Sequence, residues 1–435
     1  MRISALLLGF ILLWRPGAAQ SYFPPNIPGA WDTLSPSSLG WCPDKIDSLY
    51  AFLDASNTRA FILLKEGRIV LEHYSGGQTA EAYWYWASAG KTLTAVLTGI
   101  AQQEGYLEIT DTTSAWLGEG WTGCNAQQER GITLRNQLTM TAGFDDAGPD
   151  PYCTLDSCLV CIAAPGARWA YHNAPYTLLD EVIEQATGRT LNQYTAQKVG
   201  TPTGMDGFFL RQGYNNVFFS TARSMARFGL LILNRGIWDG SPVLADTAYF
   251  HDMVNTSQEL NLSYGYLWWL NGKSSFMVPQ SQLVFPGSLS PHAPADMIAA
   301  MGKNGQFINV VPSQGMVWIR MGDAPDNALV PFLLNDDIWR YISLLPCQPG
   351  LPAEAGSPGI RVFPGPAREI LFIELSGSGT GPHRYLLLDA AGRVAGEGTF
   401  TGDRYGIATA GLACGTYILK IVSGRWERSV VFIRE

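Results

Sequence analysis

The sequence predicts a mixed α/β (α+β) main domain with one antiparallel sheet and flanking helices, followed by a small C-terminal β-sandwich. Strand patterns stand near the beginning of the main domain and return near its end, with a long helical stretch between them. A proline-rich segment then precedes a run of short strand patterns. We therefore expect one sheet assembled from both ends of the main domain, with helices packed on it.

The main domain begins with a hairpin, and two clear helices follow. Residues Ala60–His73 form two strand-like runs, and Gly67 supplies the turn between them. Apolar residues at helical spacing predict a helix over Thr92–Glu104. Ser220-Thr221 caps a second helix, which runs to Gly236.

The end of the main domain is again predicted to form strands, and a proline-rich segment follows it. Two strand-like runs, Phe307–Val311 and Met316–Met321, flank the turn Pro312–Gly315. Prolines then accumulate among Gly, Ala and Ser, which is typical of a linker. We predict a signal peptide at residues 1–19, the main domain at 20–344, the linker at 345–359 and the β-sandwich at 360–435.

The N-terminus has the order of a secretory signal peptide. Met1-Arg2-Ile3 leads into the apolar run Ala5–Trp14, and small residues follow before Gln20. The run is too short to span a bilayer, and no later segment is apolar for the roughly 20 residues needed. We therefore expect export without membrane insertion.

Composition excludes some partners. The net charge is −8 and no Lys/Arg-rich run interrupts the chain, so nucleic acid and anionic membrane surfaces are poor partners. The hydrophobic fraction of 46% over 435 residues is enough for one large core and a smaller module.

The seven cysteines suit an oxidising compartment. Cys158-x-x-Cys161 is compatible with zinc or redox chemistry, but no second pair or adjacent histidine completes a metal site. We favour structural disulfides and leave their pairing open. Cys42 and Cys347 stand at the two ends of the main domain and could be bridged, whereas Cys414 is left over.

Two common hydrolase classes lack their sequence signals. The chain has five histidines, no Gly-x-Ser-x-Gly and no His-Glu-x-x-His. A different nucleophile stands at the start of the first strong helix, in Ser88-Ala-Gly-Lys91. Residues three apart share a helix face, so the Lys91 amine can reach the Ser88 hydroxyl. The Ser88 N–H, at a helix start, is free to bind an oxyanion.

Two further motifs follow in order, Tyr171-His-Asn173 and Lys303-Asn-Gly305. Together the three resemble the Ser-x-x-Lys, Tyr-x-Asn and Lys-Thr-Gly motifs of the penicillin-recognising serine hydrolases. Ile132–Gly143 and Ser220–Gly229 are also similar to stretches of that superfamily. The resemblance covers roughly residues 40–345 and implies a β-lactamase/transpeptidase-like fold with a helical subdomain. The superfamily includes class C β-lactamases, D-alanyl-D-alanine carboxypeptidases and related esterases.

The resemblance implies a role for each residue of the first two motifs. Ser88 would attack a carbonyl carbon and form an acyl-enzyme. Lys91 and Tyr171 would share the work of the general base, and the sequence does not decide between them. Asn173 would orient Lys91 and the substrate amide. No metal or cofactor is implied.

For the third motif the resemblance implies a positive field from Lys303 and a second oxyanion donor from the Gln306 N–H, beside Gly305. Asn304 stands where the family usually has Thr, which changes the wall where a penicillin carboxylate would lie. The class A Ser-Asp-Asn motif is absent. Efficient β-lactam hydrolysis is therefore not expected.

The expected substrate is a small ester or amide. The run Gly302–Gln306, followed by a strand ending at Pro312, is closer to the esterase and 6-aminohexanoate-dimer hydrolase branch. Alternatives are a D-amino-acid peptidase, a β-lactamase, or a penicillin-binding receptor that acylates without turnover. Trp84, Trp86 and Trp169 could narrow the cleft, although core packing explains them equally well.

The C-terminal segment has a weaker resemblance of its own. Val362–Pro366, Leu387–Gly392 and Gly411–Tyr417 are similar to the sorting domain of type IX secretion in Bacteroidetes, with Pro-Gly-Pro in place of Pro-Asn-Pro. This implies secretion machinery as a partner and a secreted or cell-surface location reached through the periplasm. The alternative is a small adhesive β-sandwich.

Overall fold

The computed structural model describes residues 21–27, 30–148, 150–323, 330–347, 359–364, 366–376, 382–389, 392–423 and 426–435. The predicted signal peptide, residues 1–19, and most of the predicted linker lie outside the described residues. The chain divides into two units, Met1–Pro346 and Cys347–Glu435. Each unit has a hydrophobic core of its own.

The first unit contains helices and strands in alternation. Its helices are α1 Pro43–Ala55, α2 Lys91–Gln103, α3 Ser114–Leu117, α4 Ala126–Arg130, α5 Leu134–Leu138, α6 Asn173–Thr187, α7 Leu191–Thr195, α8 Thr201–Thr203, α9 Ala222–Leu233, α10 Thr247–Met253 and α11 Phe332–Ser343. Its strands are β1 Thr58–Lys65, β2 Arg68–Tyr74, β3 Trp84–Tyr85, β4 Phe208–Gln212, β5 Asn215–Ser220, β6 Ile237–Trp238, β7 Ser241–Pro242, β8 Trp269–Leu270, β9 Ser275–Phe276, β10 Phe285–Pro286, β11 Ile298–Gly302, β12 Gln306–Val311 and β13 Met316–Gly322.

Six of these strands form the antiparallel sheet that the sequence predicts. Their order is β2-β1-β13-β12-β11-β8. β1 turns into β2 through Gly67, whose φ of 80° suits glycine. On its other side β1 pairs with β13, more than 250 residues later, from Thr58 opposite Gly322 to Lys65 opposite Met316. The sheet is therefore assembled from both ends of the main domain, as predicted.

Helices cover both faces of this sheet. Neighbouring residues of a strand point to opposite faces. In β13, Val317 lies against Gly229 of α9, whereas the ring of Trp318 lies 5.7 Å from that of Trp339 in α11. α9 therefore packs on one face and α11 on the other, with Thr221 capping α9 through the amide of Ser224.

The helical middle of the unit is built on α2 and α6. Every residue of α2 from Lys91 to Ala101 is buried, polar ones included. Such a helix is a core element rather than an amphipathic surface helix. It packs directly against α6, so any polar side chain on their shared faces must find its partners inside the protein.

The second unit consists of strands. They are β14 Gly359–Phe363, β15 Ile370–Ser376, β16 Pro382–Asp389, β17 Val394–Thr401, β18 Arg404–Ala408, β19 Gly415–Ser423 and β20 Trp426–Arg434. They form two antiparallel sheets, β14-β15-β18 and β17-β16-β19-β20. Apolar residues of both sheets share one core, including Leu371, Ile373, Leu387, Leu419 and Ile421. The predicted small β-sandwich is confirmed. The sequence indicates four of its strands, at Ile370–Leu375, Tyr385–Leu388, Tyr417–Val422 and Val430–Ile433, and β14, β17 and β18 are additional.

The cysteines form structural disulfides, as favoured above. Cys124 pairs with Cys161, and Cys153 with Cys158. The two cysteines of the C-x-x-C sequence thus have different partners and form no redox dithiol. Cys42 and Cys347 are also disulfide-bonded, and Cys414 is free and exposed.

Within the described part of the chain, no helix has the length and apolar character that a membrane crossing requires.

The contact between α9 and the sheet leads to a stability prediction. A Cβ on Gly229 would lie 2.5 Å from Cγ1 of Val317 and 3.0 Å from Cγ2 of Ile308. Alanine normally favours a helix interior by about 1 kcal/mol over glycine, but overpacking a core costs about 1–3 kcal/mol. We expect Gly229→Ala to lower the free energy of unfolding in urea. Gly148→Ala, with no atom within 4 Å of the added Cβ, is the control, and a stabilised Gly229→Ala would contradict the packing described.

Candidate active site

Ser88 stands in a short 3₁₀ helix, Ala87–Gly90, that runs directly into α2. The residue before this helix, Trp86, is fully buried. Its backbone N–H donates to the carbonyl of Phe218 at 2.8 Å, and its indole N–H donates to the hydroxyl of Ser220 at 2.8 Å. These two bonds fix the chain immediately before the serine.

Ala87 has a φ of 46°. For a residue with a Cβ this left-handed conformation costs about 1–2 kcal/mol, and such strain persists only where the surroundings over-determine it. The bonds of Trp86 supply that constraint on one side, and α2 supplies it on the other. The strained turn sets Ser88 at the mouth of α2, with its backbone N–H at the helix start.

The Lys91 amine is the polar centre of the site. Nζ lies 2.7 Å from Oγ of Ser88 and donates a hydrogen bond to Oδ1 of Asn173 at 2.8 Å. Only 1% of Lys91 is exposed, and this burial holds its pKa well below the ordinary value for lysine. The rings of Tyr171 and Tyr176 lie 4.8 and 4.2 Å from Nζ. The arrangement favours a neutral amine that can accept a proton from Ser88.

Tyr171 is buried beside the same serine. Its ring stacks on Trp269 at 5.6 Å and meets Tyr264 edge-on at 6.4 Å. Burial is the main cause that raises the pKa of Tyr171, and the Ser88 side chain offsets it in part. Among the described residues its hydroxyl has no hydrogen-bond partner. Tyr171 is therefore a protonated phenol at neutral pH whose O–H is available to a substrate atom.

The backbone that lies against Ser88 is that of Gly302, the last residue of β11. A Cβ at this position would lie 2.6 Å from the carbonyl oxygen of Trp86 and 3.0 Å from the Ser88 amide nitrogen. Both neighbours are backbone atoms, which cannot move aside as a flexible side chain would. Only glycine therefore fits at the point where β11 contacts the backbone at Ser88.

The predicted third motif occupies the turn after this contact. Asn304 and Gly305 have φ values of 62° and 75°, and Asn-Gly is a typical pair for a hairpin turn with positive φ. The guanidinium of Arg320 donates to the carbonyls of both residues, at 2.9 and 2.8 Å. The Asn304 amide donates to the Tyr85 hydroxyl at 2.7 Å. The turn is thus held firmly in place.

The side chains on either side of this turn differ in their exposure. The Lys303 side chain is exposed. Gln306 is fully buried, and its side chain bonds to the backbone N–H and C=O of Gly322. Gly305 approaches Arg320 rather than Ser88. The structure therefore brings Ser88, Lys91, Tyr171 and Asn173 together, and it places Gly302 against them.

Sequence reasoning missed Gly302. The run Gly302–Gln306 contains two glycines, and the sequence motif drew attention to the second of them. The available signal was the preceding strand pattern, since a glycine at the end of a strand often marks a close approach of another backbone. It also missed the buried Asp180, which resembles an ordinary polar helix residue in the sequence.

Of the three tryptophans near the motifs, two belong to the core. Trp86 and Trp169 are 0% and 1% exposed, so core packing explains them. Trp84 is half-buried, with the guanidinium of Arg59 4.4 Å from its ring. In the part of the chain that is described, no group of three His, Cys, Asp or Glu residues is placed to hold a metal ion.

Comparisons with known proteins identify the family of this chain. The family model described as Beta-lactamase matches residues 54–327, more than half of the chain. Penicillin-binding protein 4* of Bacillus subtilis (strain 168) is 25% identical over 170 residues, which are 33% of this chain and 36% of that protein. The chain thus aligns with about a third of the length of the curated relative it matches.

Solved structures share the fold at low sequence identity. A predicted 6-aminohexanoate-dimer hydrolase from Bacillus anthracis has a TM-score of 0.56 and 18% identity, over 75% of this chain and 91% of that one. A family VIII carboxylesterase has a TM-score of 0.53 and 16% identity, over 69% of this chain and 98% of that one.

The contact of Gly302 with Ser88 leads to a prediction about reactivity. In Gly302→Ala the added methyl group must displace the backbone of Trp86 or Ser88. Loss of one oxyanion donor typically costs about a hundred- to a thousandfold in rate, and we expect a loss of this size. The measurement is the rate at which a fluorophosphonate labels Ser88, followed by mass spectrometry. Gly411→Ala, in open space, is the control, and unchanged labelling of Gly302→Ala would contradict the role of this contact.

Proposed function

The chain belongs to the beta-lactamase family, a family of serine hydrolases, and we propose that it cleaves a small ester or amide through an acyl-enzyme on Ser88. The predicted β-lactamase/transpeptidase-like fold is confirmed by the family match and by the solved structures. The observation that carries the proposal is the buried Lys91 amine, 2.7 Å from the Ser88 hydroxyl oxygen.

In the first step Ser88 transfers its proton to Lys91 while Oγ attacks the carbonyl carbon. The resulting tetrahedral intermediate collapses to the acyl-enzyme, and the leaving group departs with a proton from Lys91 or through the Tyr171 hydroxyl. A water molecule then attacks the acyl carbon and gives a proton to Lys91. The second tetrahedral intermediate collapses as the bond to Ser88 Oγ breaks, Oγ takes the proton back from Lys91, and the carboxylic acid leaves. Asn173 holds the amine in line with Ser88 through its side-chain oxygen.

We assign the base to Lys91 rather than Tyr171 because burial shifts their pKa values in opposite directions. Burial lowers the pKa of Lys91 and raises that of Tyr171. A lysine needs a fall of about 3 units from 10.4 to act as a base at neutral pH. Tyr171 would need a fall as well, and its environment does the reverse. Tyr171 then acts as a proton donor or relay.

We also assign the second oxyanion donor to the Lys303 N–H in place of Gln306. The Met297 carbonyl accepts a bond from Asn271, on the side of β11 away from β12. Backbone groups alternate along a strand, so the N–H of Lys303 faces that same edge. Of the described residues of β11, Ile298 and Ala299 pair with β8, so β8 does not extend along the part of this edge that lies beside Ser88.

The structural relatives and the placement of Asn304 bear on the substrate class. The similar structures include a carboxylesterase and a predicted 6-aminohexanoate-dimer hydrolase. The Asn304 amide is engaged by Tyr85, in the region where the family resemblance places a penicillin carboxylate. The engagement of Asn304 by Tyr85 favours a simple ester or amide over a β-lactam.

We propose in addition that the protein is exported and that residues 360–435 are a sorting domain. The disulfides of the first unit support an oxidising compartment. The separate core of the C-terminal strands supports an independent module. Detection of the full-length protein in the cytoplasm alone of its native host, with the N-terminal residues uncleaved, would contradict the proposal.

Hydrolysis of p-nitrophenyl acetate and butyrate by the protein without residues 1–19 tests the main proposal. We expect turnover that is lost in Ser88→Ala, since removing a nucleophile can cost on the order of a millionfold. Equal activity in both proteins would refute the assignment of Ser88. Nitrocefin turnover in a parallel assay would identify a β-lactamase, and a burst without turnover would identify a penicillin-binding receptor.

The assignment of the base predicts a pH dependence. The lowered pKa of Lys91 means that the amine is protonated only below that value, so kcat/KM should fall as the pH decreases through it. In Lys91→Met, kcat/KM should be lower by at least about a hundredfold at all pH values, which is the scale of general-base catalysis. Tyr171→Phe should retain the acidic limb of the profile. Loss of this limb in Tyr171→Phe would instead identify Tyr171 as the base.

A further inference from the structure

A second buried polar group lies between α2 and α6. Only 2% of Asp180 is exposed. One carboxyl oxygen accepts a hydrogen bond from the Thr94 hydroxyl at 2.9 Å, and the other accepts one from the Asn216 amide of β5 at 3.1 Å. Neither partner is charged, so among the described residues no cation is hydrogen-bonded to this carboxyl.

The carboxyl and the catalytic amine belong to one pair of helices. Lys91 and Thr94 are three residues apart on α2, and Asn173 and Asp180 are seven apart on α6, so each pair shares a helix face. Asn173 bonds to Lys91 and Asp180 bonds to Thr94. The carboxyl therefore lies at the same helix interface as the amine, about one turn away along α2 and about two turns away along α6.

We propose that Asp180 is a positioning residue that sets the proton affinity of Lys91 across this helix interface. The inference rests on the proposed function, in which Lys91 is the base. Ionised Asp180 stabilises the ammonium form of Lys91, and protonated Asp180 does not. A buried charge interacts strongly because little solvent screens it, so the state of one group shifts the other.

Burial raises the pKa of Asp180 to about 7, and the bonds from Asn216 and Thr94 oppose the rise. The Asp180 charge in turn opposes the fall in the pKa of Lys91 that burial causes. Asp180 therefore changes its charge in the pH range where an esterase works. The two groups titrate as a coupled pair.

Other titratable groups around the pair keep their charge in this range. Tyr171 and Tyr176 at α6 and Tyr249 of α10, which bonds to the α2 backbone at Ala95, all have raised pKa values and remain neutral. The pKa of His172 is lowered to about 4 by burial, so this residue is neutral above that pH.

One surface carboxylate also acts on Asp180. Glu184 of α6 contributes to the electrostatics of Asp180 and is exposed at the surface. β5, the third element around Asp180, carries no ionisable side chain. Asp180 is thus the group near Lys91 whose charge changes around neutral pH.

The first experiment compares the pH profiles of kcat/KM. In Asp180→Asn the ammonium loses its stabilising charge, so the acidic limb should move to lower pH by on the order of one unit. Thr94→Ala removes a bond that favours the ionised carboxyl and should move the limb in the same direction by less. Glu129→Gln is the control, because Glu129 is a buried carboxyl bonded to Gly120 and Thr122 in another part of the fold. Acidic limbs of Asp180→Asn and Thr94→Ala that coincide with that of the wild type would overturn the proposal.

The second experiment measures the coupling without any substrate. Urea unfolding across pH 5–9 is followed for the wild type, Asp180→Asn, Lys91→Met and the double variant. A folded pKa above the unfolded value gives stability that is present at low pH and is lost as the pH rises through about 7. Without the Lys91 ammonium the pKa of Asp180 should rise further, so this loss should shift to higher pH in the Lys91→Met background.

The two experiments separate the inference from the proposed function. Coincident pH curves for the Asp180→Asn effect in both backgrounds would overturn the coupling, whatever the protein hydrolyses. A wild type without Ser88-dependent turnover would refute the proposed function, and the unfolding cycle would still decide whether the two groups are coupled.

Discussion

The burial of the Lys91 amine is the constraint on which the site depends. A charged amine inside a protein costs several kcal/mol unless it is paired, and no carboxylate is bonded to this one in the described contacts. The interior therefore favours the neutral form, which is also the form that can take a proton. Asn173 and the aromatic rings around the amine fix its position without supplying a counter-charge. In the proposed mechanism, this desolvation is what allows the amine to act as a base.

Close contacts at two glycines connect this site to the rest of the fold. Gly229 lets α9 approach the sheet at β12 and β13, and Gly302 lets β11 approach the start of α2. Neither contact leaves room for a Cβ, so a larger residue at either glycine would push the two contacting elements apart. The pairing of β1 with β13 joins the strands from the start of the main domain to those from its end. The position of the nucleophile is thus set by strands from both ends of the main domain.

Much of this arrangement could be predicted from the sequence because it follows from local periodicity. The spacing of Ser88 and Lys91 on one helix, the hairpin around Gly67 and the main strands are short-range features. The choice between Gly302 and Gly305 is not a short-range feature, because it depends on which glycine contacts a segment more than 200 residues earlier. Asp180 was missed for the same reason, because its burial follows from the docking of α6 on α2. Strand β17 escaped prediction because its glycine and polar residues lack the alternation typical of strands.

The nested disulfides carry a consequence for how the protein can be produced. Four cysteines within residues 124–161 can pair in three ways, and the structure uses the one in which the Cys153–Cys158 bridge lies inside the loop closed by Cys124 and Cys161. Cys158 and Cys161 are the two closest in sequence, yet they do not pair with each other. Proximity along the chain therefore favours a wrong partner. A host without a disulfide isomerase will accumulate molecules that are fully oxidised and incorrectly linked, so an oxidising compartment alone does not ensure the native protein.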